Sequence, residues 1–184
     1  MQLRLGALFI SLFGLLLAGV LGASTPVADV DQIAGIGIGD IINLLGIGLV
    51  KSINATITLE SLTNNLISID FIVANPLPIE LTLISVKSSA GINNTEFARF
   101  DHTFSPPLVV PILGQASSGK IDNVLLTQGA TASLDIIPLG VLDLLDTDVN
   151  VRAGSIFGIG GIPLPIDDLK QNNVPVTYNL DISG

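Results

Sequence analysis

Cysteine is absent from the 184 residues of this chain, and tryptophan is absent as well. Without thiols the fold cannot be held by disulfides, and a cysteine-ligated metal site is excluded. A chain of this size buries roughly 70% of its unfolded surface, which is enough to stabilise one domain by packing alone. We therefore expect a single domain whose stability comes from its apolar core.

Basic residues are also scarce. Seven Lys and Arg stand against 16 Asp and Glu, which gives a formal net charge of −9. Nucleic-acid binding needs clustered cations that neutralise phosphates, so this composition argues against a nucleic-acid partner. Anionic membrane surfaces are poor partners for the same reason.

Histidine occurs once, as His102 in the run ARFDHTF. On a strand it shares a face with Phe100 and Phe104, where a packed role is more common than a catalytic one. A nucleophile elbow needs the spacing G-x-S-x-G, and residues 154–158 place the serine one position early. The 16 Asp and Glu residues are enough to supply a carboxylate pair for glycoside hydrolysis, but the Trp and Tyr side chains on which sugars usually stack are almost absent. The sequence predicts no catalytic residue and a protein that is not an enzyme.

Metal and cofactor signals are weak. Asp143, Asp146 and Asp148 offer the hard oxygen ligands that calcium prefers, but the loop fails at the glycine and glutamate positions that an EF-hand requires. On a strand, Asp148, Asn150 and Arg152 share one face and the apolar residues Val149, Val151 and Ala153 take the other, which is typical of a solvated strand face. The glycines from Gly35 to Gly39 lack the G-x-G-x-x-G spacing of a dinucleotide site. We therefore predict no cofactor and no metal.

The N-terminus has the features of a targeting segment. Arg4 precedes an apolar run from Leu5 to Leu21, and small residues occupy positions 22–24. This pattern is typical of a secretory signal peptide, which we predict over residues 1–23. The alternative is an uncleaved anchor, although the run is slightly shorter than the about 20 residues that span a bilayer. In both cases the rest of the chain is expected to be extracellular, either secreted or N-terminally anchored.

Residues 24–52 form a glycine-rich apolar segment. Its apolar side chains repeat at helical spacing from Val30 to Leu49. Five glycines between Gly35 and Gly48 weaken an isolated helix by about 1 kcal/mol each, so such a helix needs a surface to dock on. We predict a helix that packs on the domain, with a lipid-facing segment as the alternative.

From residue 53 to residue 184 the pattern is that of β-structure. Apolar residues alternate from Leu66 to Ala74 and resume after the break at Asn75–Pro78, while Ile84 and Val86 fall out of phase and predict a bulge. Leu139–Leu145 is predicted as a helical turn. Short strands separated by turn residues indicate an antiparallel sandwich or barrel. The predicted strands are 53–62, 66–74, 79–88, 95–104, 108–113, 119–127, 131–137, 148–157 and 174–182.

Two N-x-Thr sequons, at Asn54 and Asn93, are candidate N-glycosylation sites in an exported chain. Asn93 lies in a predicted hairpin loop and is the better candidate. Asn54 opens a predicted strand and is accessible only if that strand is at a sheet edge, where a glycan would also block edge-to-edge pairing.

The stretch VANPLPIELTLISVKSSAG resembles the late embryogenesis abundant group 2 family, also called the water-stress and hypersensitive-response (WHy) domain family. The residues that carry this resemblance are Asn75, Pro76, Pro78 and Gly91, which we expect to be structural. The resemblance implies an immunoglobulin-like or fibronectin-like β-sandwich, no catalytic site and a link to stress tolerance. The glycine-rich segment and the signal-like N-terminus depart from the family pattern.

The function that follows is a secreted, non-enzymatic β-sandwich protein that acts as a stress-protective or cell-surface interaction module. The alternative is a carrier or binder of an apolar ligand or lipid, because the chain has an apolar glycine-rich segment and is rich in Ile and Leu. The expected partners are a protein, a cell surface or an apolar small molecule. Membrane association is expected only if the N-terminal segment is uncleaved or the glycine-rich helix faces lipid.

Overall fold

The computed structural model describes residues 48–181, most of which lie in nine strands. The predicted signal peptide and residues 24–47 of the glycine-rich segment lie outside this range. Two one-turn helices and one 3-10 helix (Leu134–Leu139) complete the described chain. The helices are α1 (Ser61–Asn64) and α2 (Ala130–Ser133). The strands are β1 (Val50–Thr58), β2 (Leu66–Ala74), β3 (Leu81–Ile92), β4 (Thr95–Val110), β5 (Gln115–Ser117), β6 (Ile121–Leu126), β7 (Val141–Ala153), β8 (Ile162–Ile166) and β9 (Gln171–Asp181).

Seven of the strands form a closed barrel. Their order around the barrel is β1-β9-β7-β3-β4-β6-β2, and β2 pairs back onto β1 to close the ring. The strands β5 and β8 extend the sheet by pairing with β2 and β7. The chain is therefore predominantly β, as predicted, but the immunoglobulin-like or fibronectin-like β-sandwich predicted from the family resemblance is wrong.

The sandwich prediction failed because alternation looks the same on a sandwich and on a barrel. Closure depends on the parallel pairing of β1 with β9, in which Ile53 lies beside Val176 and Thr58 beside Asp181. These residues are more than 100 positions apart, so no local pattern encodes their pairing. Closure also places β1 between two strands, where an open sheet would leave an exposed edge.

Two local predictions are confirmed. The strand predicted over Leu66–Ala74 is β2, with the predicted bounds. The predicted bulge in the following strand is present, because the register of β3 against both β4 and β7 shifts between Leu83 and Ser85. The first strand begins at Val50, so the last residues of the segment predicted as helical are already part of the barrel.

Two neighbouring predictions are wrong. Residues 131–137, predicted as a strand, form α2 and most of the 3-10 helix, and the predicted helical turn at Leu139–Leu145 is largely the start of β7. The side-chain oxygen of Asn65 accepts a hydrogen bond from the Ala130 amide at 2.8 Å. This contact satisfies a free amide at the start of α2 from a residue 65 positions away, which local propensity cannot predict.

The two ends of the barrel differ in their connections. We call the lower end the one where β1 begins, and the upper end the one that carries the helices. The connections of the lower end are assigned from the residues that pair across neighbouring strands and from the hydrogen bond that Asn75 donates to Pro111. The lower end consists of residues 48–50, 74–81, 110–115 and 153–162, and the upper end consists of residues 58–66, 92–95 and 126–141.

Asn75 fixes the crossing from β2 to β3 at the lower end. It is 2% exposed, and its amide nitrogen donates to the carbonyls of Ile79 at 2.7 Å and Pro111 at 3.0 Å. Its side-chain oxygen accepts a hydrogen bond from the Leu77 amide at 2.9 Å. An amide side chain is needed here because the site requires donors and an acceptor together.

Candidate functional site

The interior of the barrel contains an apolar cavity of about 100 Å³. All seven ring strands contribute inward-facing residues to its wall, as the alternation of apolar residues along each strand requires. Within this lining, the rings of Phe71 on β2 and Phe100 on β4 lie with their centroids 6.4 Å apart. The other apolar lining residues include Ile53, Ala55, Ile57, Ile67, Ile69, Leu83, Val86, Ala90, Val124, Leu126, Leu142, Leu144 and Val149.

Among the polar residues of the cavity wall, Ser88 on β3 and Thr147 on β7 satisfy each other. Their hydroxyl oxygens lie 2.6 Å apart, and both side chains are buried. A buried pair of this kind leaves neither hydroxyl without a partner, so it adds little polarity to the cavity. Ser88 and Thr147 therefore act as part of the wall.

Tyr178 on β9 is different. Its hydroxyl oxygen is buried, and no group within residues 48–181 lies in hydrogen-bonding position. The residue lines the cavity beside Ala55, its partner in the β1–β9 register. Burial raises the pKa of the Tyr178 phenol from its ordinary value of 10.0, because the ionised form is poorly solvated there. Sequence reasoning did not select Tyr178, although it continues the inward series Val174 and Val176 and is the only tyrosine.

Buried side chains line the cavity near both of its ends. At the upper end, Ile136 of the 3-10 helix is buried in the cavity wall. At the lower end, Leu169 is 2% exposed and lies in the wall with Val50. The Gln171 side chain holds Val50 in place, because it donates to the Val50 carbonyl at 2.6 Å and accepts from the Val50 amide at 3.0 Å.

This arrangement suits an uncharged ligand with one polar atom. An apolar cavity disfavours water, and an engineered apolar cavity of about 150 Å³ in another protein stays dry and binds benzene. No Asp, Glu, Lys, Arg or His lines the cavity formed by the described residues. A ligand oxygen placed beside Tyr178 would satisfy the buried hydroxyl, while the hydrocarbon part of the ligand would fill the apolar space.

The structure does not bring His102 and Ser155 together. The ring of His102 contacts Phe104 edge-on, with centroids 4.8 Å apart. Ser155 pairs with Thr82 through hydroxyl oxygens 2.7 Å apart. His102 lies opposite Val86 in the register of β3 and β4, four residues beyond Thr82. His102 is therefore in contact with an aromatic ring and Ser155 is hydrogen-bonded to Thr82, in separate parts of the barrel.

The acidic residues on β7 form a cluster with a partner that the sequence did not suggest. Ligand atoms of Asp146, Asp148 and Asp168 lie within 4.8 Å of one another. An oxygen of Asp148 accepts a hydrogen bond from the Asp168 amide at 3.2 Å, whereas Asp143 accepts one from the Asn173 amide at 2.8 Å. These oxygens could hold a hard cation, but clusters of solvent-accessible acids are common without one.

The candidate glycosylation sites differ in their surroundings. Asn93 is exposed at the tip of the β3–β4 hairpin, where it and Asn94 have φ values of 50° and 62°. Asn54 lies in the middle of β1 with a strand on each side, so it is not on a sheet edge. Gly91, a residue of the family resemblance, lies at a register shift of the same hairpin, where a Cβ would clash with the Thr95 carbonyl.

None of the helices within residues 48–181 has the length and apolar character needed to cross a membrane.

Comparison of the chain with protein-family models and with curated proteins found no match. The relationship to the late embryogenesis abundant group 2 family therefore stays a prediction.

Proposed function

We propose that this protein is a non-catalytic binder of a small apolar ligand, which it holds inside the barrel. The observation that carries the proposal is the apolar cavity of about 100 Å³ with the unpaired Tyr178 hydroxyl in its wall. Natural cores seldom leave a buried hydroxyl without a partner, and exceptions are often explained by function. The ligand class is an unbranched molecule that has a hydrocarbon chain and one hydroxyl or carbonyl oxygen.

A series of straight-chain alcohols from butanol to decanol tests this proposal. Tyr178 is the only tyrosine and tryptophan is absent, so tyrosine emission reports on the cavity alone. Affinity should rise roughly fourfold per methylene, the equivalent of about 0.8 kcal/mol, until the cavity is full. Longer alcohols should then bind more weakly because they no longer fit.

The matched control is Ala55→Leu, which adds volume beside Tyr178. This variant should shift the optimum to shorter alcohols while the far-UV circular dichroism spectrum stays unchanged. If no alcohol changes Tyr178 emission, and native mass spectrometry of the protein from its own host shows bare protein throughout, the proposal is wrong.

Secretion belongs to the same proposal, and it is supported by the sequence of residues 1–23 alone. The intact mass of the protein recovered outside the cell would reveal cleavage near Ala23, and it would report bound ligand and glycans in the same measurement. A full-length mass in the cell pellet would contradict secretion.

The protective role implied by the family resemblance stays a second prediction. Its test is the activity of an unrelated enzyme after drying, with this protein or with an inert protein of the same concentration. Equal losses in the two samples would remove that role.

A further inference from the structure

A hairpin at the lower end presents its apolar side chains to solvent. Ile156 and Ile159 exchange backbone hydrogen bonds of 3.1 Å, and the two residues between them form the turn. Phe157, at the apex, is 89% exposed, and Ile159 is 79% exposed. The φ of Phe157, 51°, lies in a region that non-glycine residues seldom adopt, and this backbone conformation places the aromatic ring at the tip of the hairpin.

Buried and charged groups fix this hairpin on the barrel. The Glu80 carboxylate accepts a hydrogen bond from the Gly158 amide at 2.9 Å. The hydroxyl of Ser155, which precedes the hairpin, is buried against Thr82. The outward direction of Phe157 is therefore part of the folded structure.

Apart from Glu80, the connections around the hairpin at the lower end carry no charged residue. Residues 71–79, 105–119 and 153–166 contain no Asp, Glu, Lys, Arg or His, in a chain whose net charge is −9. Ile112 and Leu113 are 56% and 69% exposed in the second of these segments. Exposed Lys51 and Arg152 flank the uncharged region, and the nearby Glu80 carboxylate is engaged with the hairpin. Apolar tips with flanking cations suit the border between lipid tails and phosphate groups.

The chain enters the barrel at this same end. The described structure begins at Gly48, and 47 residues precede it. They include the apolar run Leu5–Leu21 and the glycine-rich segment, and this sequence leads into the barrel at the end that carries the apolar hairpin.

We propose that the lower end docks on a bilayer of zwitterionic lipid by inserting Phe157, Ile156 and Ile159 into its interfacial region. This proposal goes beyond ligand binding and does not depend on the cavity. A convex, uncharged tip lacks the polar groups that give a protein interface its specificity, whereas a bilayer imposes no such requirement. The net charge of −9 disfavours anionic lipid. Membrane association then has a source in the barrel itself, in addition to the N-terminal segments.

The test places a single tryptophan at either end of the full chain, which has none of its own. Phe157→Trp reports on the lower end, and Leu139→Trp is the matched control, since Leu139 is 52% exposed at the upper end. With phosphatidylcholine vesicles, the Phe157→Trp emission should shift to shorter wavelength and be quenched at least twofold by brominated acyl chains. The Leu139→Trp emission should not change. Phe157→Asp should weaken vesicle binding about tenfold, with an unchanged circular dichroism spectrum.

Every other outcome overturns the proposal. Emission of Phe157→Trp that stays solvent-like with vesicles means that the hairpin does not insert. Emission of Phe157→Trp that is already at short wavelength without vesicles means that another protein surface covers the hairpin. That surface belongs to a second copy if the emission depends on protein concentration, and to the chain's own N-terminal segments if it does not. Equal responses of the two variants mean unspecific adsorption. Anionic vesicles that bind as tightly as phosphatidylcholine would exclude the zwitterionic preference.

Discussion

Replacing Tyr178 with Phe removes one oxygen atom from the cavity wall, and we expect the protein to become more stable. A buried hydroxyl without a partner costs about 1–3 kcal/mol. The rest of the Tyr178 side chain is partly exposed, so the lower figure applies. We expect Tyr178→Phe to raise the free energy of unfolding by about 1 kcal/mol, which corresponds to about 4 °C in Tm for a domain of this size.

Urea unfolding followed by far-UV circular dichroism measures this change, because the variant loses the only tyrosine. The slope of the unfolding free energy against urea concentration should be the same for the variant and the natural sequence, because both expose the same surface area on unfolding. Thr147→Val is the matched control. It removes a hydroxyl that is paired, leaves Ser88 without its 2.6 Å partner, and should lower stability by about 1–3 kcal/mol.

Opposite signs for the two variants are the result that the structure requires. If Tyr178→Phe is as stable as the natural sequence or less stable, the Tyr178 hydroxyl has a partner in solution, either water or a residue outside 48–181. The same variant should bind alcohols several-fold more weakly than the natural sequence does but should bind alkanes of equal length unchanged. Equal losses for alcohols and alkanes would show that the hydroxyl does not contact the ligand.

Four further expectations rest on individual contacts. Asn75→Ala should lower the unfolding free energy by about 3 kcal/mol in urea titrations, because it leaves several buried backbone groups unpaired; a loss below 1 kcal/mol would contradict that role. Gly91→Ala should cost about 2–4 kcal/mol, because the added Cβ meets the Thr95 carbonyl, and an unchanged Tm would refute this. The absorbance of Tyr178 in an alkaline titration should show that the phenol ionises above its ordinary pKa of 10.0. The stability due to the neutral phenol is complete below that value and is lost as the pH rises through the raised pKa. The stability of Tyr178→Phe should not show this loss. In a eukaryotic secretory pathway, Asn93→Gln should lower the mass by one glycan, and an unchanged mass would mean that Asn93 carries none.

The sequence predicted the local β-structure well where one face of a strand meets the core. The bounds of β2 and the bulge after Leu83 both follow from the phase of the apolar residues. Phase says which side of a strand is buried, but it does not say which strand lies beside it. The pairing of β1 with β9 therefore could not be predicted, and the immunoglobulin-like or fibronectin-like β-sandwich that the family resemblance implies is wrong because the chain closes into a barrel. The start of α2 is a similar case, because its amide is satisfied by the distant Asn65.

The same limit explains why neither proposed site was visible in the sequence. Alternation along β9 predicts that Tyr178 faces inward, but only closure of the barrel shows that no group of the described chain reaches its hydroxyl. The run around Phe157 reads as a glycine-rich turn, and whether such a turn folds inward or outward depends on its anchors. Those anchors are Glu80, directly before β3, and Thr82 on β3, and both lie more than 70 residues earlier in the chain. Both sites therefore depend on contacts between distant parts of the sequence: closure of the barrel surrounds the Tyr178 hydroxyl with apolar side chains, and hydrogen bonds to Glu80 and Thr82 hold the hairpin of Phe157 in place.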